Sequence, residues 1–274
     1  MQFVTYNIQY GLGRDGRYDL DRIADAVDGA DVIALQEVER YWPRSGMVDQ
    51  VNRLSKRLPE YWVSYGPNLD LFSPAGFPGE SRSRRRQFGN VMLSRTPILS
   101  SRNIALPRIA GPEQTMQRGA LEAIVISPRG RSLRVYSTHL TYLSPAARRL
   151  QIDTIFTEHA NAIEQGGPWA GAHPSTAGWM IDADPEMPKS AVILGDMNFT
   201  LGEAEHRALF TDPSHPFVDA WDAVNCGDTT PTHAAGHIDH GWITADLADA
   251  VCAARVDTIA DGSDHQPVWF SLDV

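Results

Sequence analysis

Little in this sequence invites covalent cross-linking. Its 274 residues include two cysteines, Cys226 and Cys252, so no disulfide framework is available and a reducing compartment is expected. Neither cysteine has a base near it in sequence, which argues against a thiol nucleophile. Lysine is also scarce: Lys56 and Lys189 are the only two. With 24 Lys+Arg against 34 Asp+Glu the net charge is -10, which excludes a generally basic surface for wrapping nucleic acid. No segment approaches the ~18–20 continuous apolar residues of a membrane span. The start, MQFVTYNIQYG, lacks a basic region followed by an apolar run, so a secretory leader is not expected and a cytoplasmic location is.

What is present is globular: 42% hydrophobic, 9% aromatic and 21% charged residues. At ~150 residues per domain the length allows one large domain or two small ones. No linker is visible, so one domain over 1–274 is expected.

Runs rich in β-branched and aromatic residues predict strands at 3–8, 32–36, 62–65, 91–94, 120–127, 133–140, 191–194, 238–244 and 267–272. The pair 120–127 and 133–140, joined by Pro128-Arg129-Gly130, reads as an antiparallel hairpin. Leu20, Ile23, Ala24 and Val27 have helical spacing behind an N-cap, Asp19. Val48, Val51, Leu54 and Leu58 share a second helical face. A third helix is expected over 145–163, with Ser144 as cap, Pro145 at its first position, and a stripe of Leu150, Ile152, Ile155, Phe156 and Ile163. Mixed strands covered by helices indicate an α/β or α+β sandwich. Two stretches read as irregular loops: 66–90, with the run Ser81-Arg82-Ser83-Arg84-Arg85-Arg86, and 165–189, with Trp169 and Trp179.

Groups able to hold a metal or move a proton recur at strand ends: Asn7, Glu37, His139, Asp196 with Asn198, Asp239, and Asp264 with His265. Singly, each could be a cap or a turn residue. Together they matter more, because strand ends of a layered sheet converge on one edge. His233, His237, Asp239 and His240 also have spacing that could bind zinc. Against this, Asp239 and His240 are adjacent on a strand and point to opposite faces. His159, His173, His206 and His215 lie outside any motif and are expected at the surface.

The ordered set Thr5-Tyr6-Asn7-Ile8, Leu35-Gln36-Glu37-Val38, Gly89-Asn90-Val91-Met92-Leu93-Ser94, Ser137-Thr138-His139-Leu140, Leu194-Gly195-Asp196-Met197-Asn198, Ile238-Asp239-His240 and Ser263-Asp264-His265-Gln266-Pro267 resembles the endonuclease/exonuclease/phosphatase superfamily of metal-dependent phosphoesterases. The resemblance implies a four-layered α/β sandwich with two central mixed β-sheets flanked by helices. It implies Mg²⁺, replaceable by Mn²⁺, held by Glu37 with Asn7 and Asp264, hard oxygen donors that suit such a cation. By the same resemblance Asp196 would deprotonate the attacking water, Asn198 and His265 would contact the phosphate, and Asp239 would orient His265. His139 would donate to the phosphate or leaving group, and Arg118 matches a phosphate-contacting arginine. Some relatives have an acidic residue two positions after the first Asn. Here it is Gln9, a poorer ligand for a second cation.

Hydrolysis of a P–O bond does not name the leaving group. Three readings follow: a phosphodiesterase or phosphatase on a phosphorylated small molecule or lipid headgroup, a nuclease acting on nucleic acid, and a non-catalytic protein retaining the fold. The intact set of Glu37, Asp196, Asn198, Asp239, Asp264 and His265 opposes the third. Arginines 82 and 84–86 on an acidic chain favour the first, and are expected to reach the substrate beyond the scissile phosphate.

Overall fold

The computed structural model describes residues 1–73, 84–109, 115–166, 187–212 and 215–274. Twelve strands are found among them. They are β1 (Gln2–Asn7), β2 (Val32–Arg40), β3 (Trp62–Phe72), β4 (Arg85–Ser94), β5 (Ile98–Ala105), β6 (Gly119–Ile126), β7 (Ser132–His139), β8 (Ala191–Asp196), β9 (Phe217–Asp219), β10 (Asp239–Thr244), β11 (Val251–Val256) and β12 (Val268–Leu272). The helices are α1 (Leu20–Val27), α2 (Gln50–Arg57), α3 (Pro145–Gln165) and α4 (Ala204–Phe210).

The strands form two six-stranded sheets. One has the order β11-β12-β1-β2-β4-β3 and the other β5-β6-β7-β8-β10-β9. Each is mixed: β1–β2 and β7–β8 are parallel, their neighbours antiparallel. The sheets pack face to face through Phe3, Ala34, Met92, Leu121, Val135, Leu194 and Phe270. A second apolar cluster joins the outer face of the first sheet to α1 and α2 through Val4, Ile33, Ile23, Val27 and Leu54. A third joins the other sheet to α3 and α4 through Tyr136, Ile193, Ile152, Ile155 and Leu209. This is the four-layered α/β sandwich. Strands buried on both faces explain the continuous apolar runs at β2 and β8.

The caps behave as expected: Asp19 accepts from the Asp21 and Arg22 amides, and Ser144 from the Ala147 amide. Other expectations need correction. Residues 66–90 are not one loop: β3 continues to Phe72 and β4 begins at Arg85. Arg82, and of the second stretch Pro168, Trp169, His173, Pro174, Trp179 and Pro185, lie outside the described residues. In α3, Leu150 and Ile163 are exposed, and the buried stripe runs through Ala147, Arg148, Gln151, Ile152, Ile155, His159 and Ala162. Polar members of that stripe are satisfied internally: Arg148 by Glu205, Gln151 by the Thr141 amide, His159 by Arg134. His159 and His206 are therefore buried rather than at the surface.

Candidate active site

The two parallel pairs deliver their C-terminal ends to one edge. Asn7 closes β1, His139 closes β7 and Asp196 closes β8. Asp196 lies in register with His139 on one side and Asp239 on the other. Cross-strand partners share a face, so three functional side chains stand together. The glycine before Asp196 is required by this packing: a Cβ on Gly195 would lie 2.0 Å from the Thr138 carbonyl oxygen.

Asn7 crosses from the other sheet. Its Nδ2 donates to Asp196 Oδ2 at 3.0 Å and to Glu37 Oε1 at 3.4 Å. Glu37 sits at a bulge in the β2–β4 pairing with φ 61°. Asn198 has φ 58°. Such left-handed values in non-glycine residues carry strain and concentrate at functional sites. The Asn198 amide N–H donates to Asp196 Oδ1 at 3.0 Å, and its Nδ2 donates to the Leu140 carbonyl at 2.9 Å, leaving a second amide hydrogen for another acceptor.

His265 Nδ1 and Asp239 Oδ2 are 2.8 Å apart, and His265 Nε2 is 3.7 Å from Asp196 Oδ2. Burial alone would disfavour the charged ring. The adjacent Asp239 carboxylate outweighs it, helped by Asp196 and Asp264, and raises His265 to about 10. Thr232 Oγ1 donates to the same Asp239 oxygen at 2.6 Å, fixing the carboxylate. His139 is the opposite case. Desolvation, aided by Arg118 and His265, holds it well below 6.5, so it is a neutral imidazole. Its Nε2 lies 3.3 Å from Asp196 Oδ2. Burial pushes both Glu37 and Asp196 up, and each lies in a field of charged neighbours that includes Arg118. Arg118 is buried, and its side chain has no hydrogen bond or ion pair among the described residues.

Asp264 is more open, with its side chain 39% exposed. Gln9 Nε2 donates to Asp264 Oδ2 at 2.8 Å, so the amide at position 9 serves an acid as a hydrogen-bond donor. Ser263 Oγ donates to the Asn7 carbonyl at 2.7 Å, tying the Asp264 turn to β1.

The zinc alternative dissolves in this geometry. Asp239 belongs to His265, whereas His240 turns to the other face and lies against Asp219 and the Phe199 carbonyl. His233 stacks on His265 with centroids 4.5 Å apart, and its Nε2 lies 3.7 Å from Asp264 Oδ2. Thr232, His233 and Ser263 are site residues that sequence motifs did not assign. Thr232 and His233 precede the Asp239 motif, His233 among the zinc candidates, and Ser263 stands in the Asp264 motif, where the resemblance gave it no role. Arg85 and Arg86 open the far end of β4, with Arg84 just before it: Arg85 pairs with Asp70 and Arg84 lies over the Tyr41 ring. At ~3.3 Å per residue, Arg85 is roughly 16 Å along the strand from Asn90.

A sequence model of the endonuclease/exonuclease/phosphatase family matches residues 4–265. The chain belongs to this family. Members are hydrolases that act on phosphoesters. A comparison with curated protein sequences finds no match. Among solved structures, the chain is similar to an endonuclease/exonuclease/phosphatase protein of Beutenbergia cavernae, with 22% identity, 99% of this chain and 71% of that chain covered, and a TM-score of 0.72. It is similar to the mannosyl-6-phosphatase Bt3783 of Bacteroides thetaiotaomicron at 14% identity, with both chains covered fully and a TM-score of 0.65. It is also similar to ANGEL2, a 2′,3′-cyclic phosphatase, at 13% identity, covering 100% and 96% of the two chains with a TM-score of 0.63. These likenesses show the endonuclease/exonuclease/phosphatase fold.

Proposed function

We propose that this family member is a divalent-metal-dependent phosphoesterase that hydrolyses a P–O bond of a small or headgroup-like phosphorylated substrate. The observation that carries the reading is the setting of Asp196: a buried carboxylate contacted by Asn7, neutral His139 and cationic His265. Asp196 accepts the proton of the attacking water. Burial raises its pKa toward the range in which a base operates. His265 and Arg118 present positive charge to the phosphate oxygens, and Asp239 positions the His265 ring. The spare Asn198 amide hydrogen donates to the same group, and His139 donates from its neutral ring.

The donor set fits a hard cation. Glu37, Asn7 and Asp264 offer oxygens, and Glu37 and Asp196 repel one another across the site. His139 Nδ1 has no hydrogen-bond partner and lies 3.7 Å from Glu37 Oε1. When bound, Mg²⁺, or Mn²⁺ in its place, would neutralise phosphate oxygens and stabilise the departing oxyanion. The amide at Gln9 supports a single cation at this edge.

The small substrate follows from a chain with net charge -10 and two lysines, which suits a compact anion better than a long duplex. Two structurally similar proteins are named as phosphatases, a mannosyl-6-phosphatase and a 2′,3′-cyclic phosphatase, which supports phosphoester hydrolysis. The test is hydrolysis of p-nitrophenyl phosphate, bis-p-nitrophenyl phosphate and plasmid DNA with Mg²⁺ or Mn²⁺, with and without chelator. Turnover of an aryl ester that disappears with chelator and falls in Glu37→Gln is expected. Full activity in chelator would overturn the assignment, and plasmid cleavage outpacing both esters would make the protein a nuclease.

A further inference from the structure

Beside the site lies a cleft of about 470 Å³ walled by Trp42, Leu69, Phe88 and Met116, with Arg44 and Arg108 at its edge. The volume is that of a small-ligand pocket. Two routes connect it to the chemistry. Glu39, which anchors Arg44, is two residues beyond Glu37, and Met116 is two residues before Arg118. Each is about 7 Å along the chain.

Arg44 is held in place from below. Glu39 is fully buried, and its Oε1 accepts from Arg44 Nε at 2.7 Å and from Arg44 Nη2. Ser45 Oγ donates to the other carboxylate oxygen at 2.7 Å. The guanidinium lies 3.8 Å from the Tyr10 ring centroid and 5.4 Å from that of Trp42. Trp42 is itself fixed by its Nε1–H donating to the Gln87 carbonyl at 2.8 Å. This arrangement uses Nε and Nη2 and leaves Nη1 with no partner among the described residues. Arg108 likewise has no ion pair or hydrogen bond among them. A purely apolar occupant would leave Arg44 Nη1 and the Arg108 guanidinium without an acceptor, and a purely polar one would strand the indole, phenyl and thioether walls.

We propose that this cleft is a substrate subsite for an apolar, planar group bearing a second anion, with the ring against Trp42 and Phe88 and the anion on Arg44 Nη1 and Arg108. The proposal rests on the phosphoesterase reading and names the substrate class within it: a phosphoester with a further carboxylate or phosphate on a ring-like body. Arg44 and Arg108 are specificity residues here, since they touch the part of the substrate that does not react.

The test compares 2-naphthyl phosphate with its 6-carboxylate, which adds one anion to the same ring. Charge-assisted hydrogen bonds of this kind give about ten- to hundredfold. The carboxylated ester should therefore have a kcat/KM at least about tenfold higher, mainly through KM. Arg44→Lys, which keeps charge but loses the planar fork, and Arg108→Gln, at an exposed position that cannot unfold the chain, should each bring the two esters close to parity. Parity in the wild type, or an unchanged ratio in Arg108→Gln, overturns the subsite. If neither ester is cleaved with Mg²⁺ or Mn²⁺, the phosphoesterase reading has failed separately. Calorimetric titration of the intact protein with 2-naphthoate then decides the subsite: binding lost in both variants supports it, and absent or unaltered binding overturns it. An analogous ester carrying a second phosphate distinguishes which anion Arg44 and Arg108 prefer.

Discussion

Replacing Asp239 by Asn removes one charge from a nearly isosteric group, and the structure says what should follow. His265 is buried, which by itself pulls its pKa down, yet the ring sits at about 10 because Asp239 lies 2.8 Å away with Asp196 and Asp264 beyond. From 6.5 to about 10, at about 1.4 kcal/mol per tenfold, the surroundings favour the imidazolium by roughly 5 kcal/mol. Without Asp239 the burial penalty remains and only Asp196 and Asp264 still favour the charge, so the ring should titrate well below its wild-type value. A group whose folded pKa is raised contributes stability that is complete below its unfolded value and lost as pH rises through the folded one. The wild type should thus lose stability between pH about 6.5 and about 10, and Asp239→Asn should lack that slope. The ring C–H proton resonance of His265, assigned by its loss in His265→Gln, reports the titration directly. It should not move between pH 5.5 and 8.5 in the wild type and should move in Asp239→Asn. A wild-type midpoint near 6.5 would refute the reasoning. At pH 8 the kcat of Asp239→Asn should drop while its value near pH 5.5 stays closer to wild type.

Asp196→Asn keeps the shape of the site but cannot accept a proton from water, so kcat should fall about 10²–10⁴-fold with an unchanged melting temperature; a near-wild-type rate counts against Asp196 as the base. Asp219 lies buried between His206 at 3.0 Å and His240 at 3.4 Å. Although burial pushes its carboxyl up, those two rings hold it well below the usual range. Its stabilisation is present above the unfolded pKa of 3.8 and lost as pH falls below it. Asp219→Asn should cost about 3–5 kcal/mol in urea unfolding at pH 7, because it breaks the buried pair with His240, whose pKa Asp219 raises; a loss under 1 kcal/mol would show that His240 is neutral there.

Continuous apolar runs made β2 and β8 readable, because strands buried on both faces leave no alternation to decode. The residues at their ends were readable for a related reason, since parallel strands in one sheet must finish on the same side. The three-residue β9 was too short to show a pattern, and the strands β5 and β11 escaped notice. Each is an edge strand with one partner, and its exposed positions carry Ser, Arg, Asn, Cys and Ala. The outer halves of β3 and β4 were hidden by Pro67, which the edge strand β3 tolerates, and by the arginines that open β4. In α3 the apolar count misled because Arg148, Gln151 and His159 are buried by specific partners. Arg134 holds His159, whose pKa burial lowers to about 4. Hydrogen-bond partners from distant elements leave no local pattern, and Thr232 and Ser263 were missed for the same reason.

Ser263 reaches across 256 positions to the Asn7 carbonyl, and β12 lies directly against β1. Synthesis therefore delivers the site in an awkward order. Asn7 leaves the ribosome early, but the sheet edge beside it remains open until residues 264–272 emerge. In that interval β1 exposes unpaired backbone groups, and closing so long a loop is slow. A nascent chain halted before Asp264 would carry Glu37, His139 and Asp196 yet lack His265, so phosphoester hydrolysis switches on only when the last strand docks. The activity thus doubles as a report of finished folding: refolding followed by turnover should trail refolding followed by the Trp242 core signal.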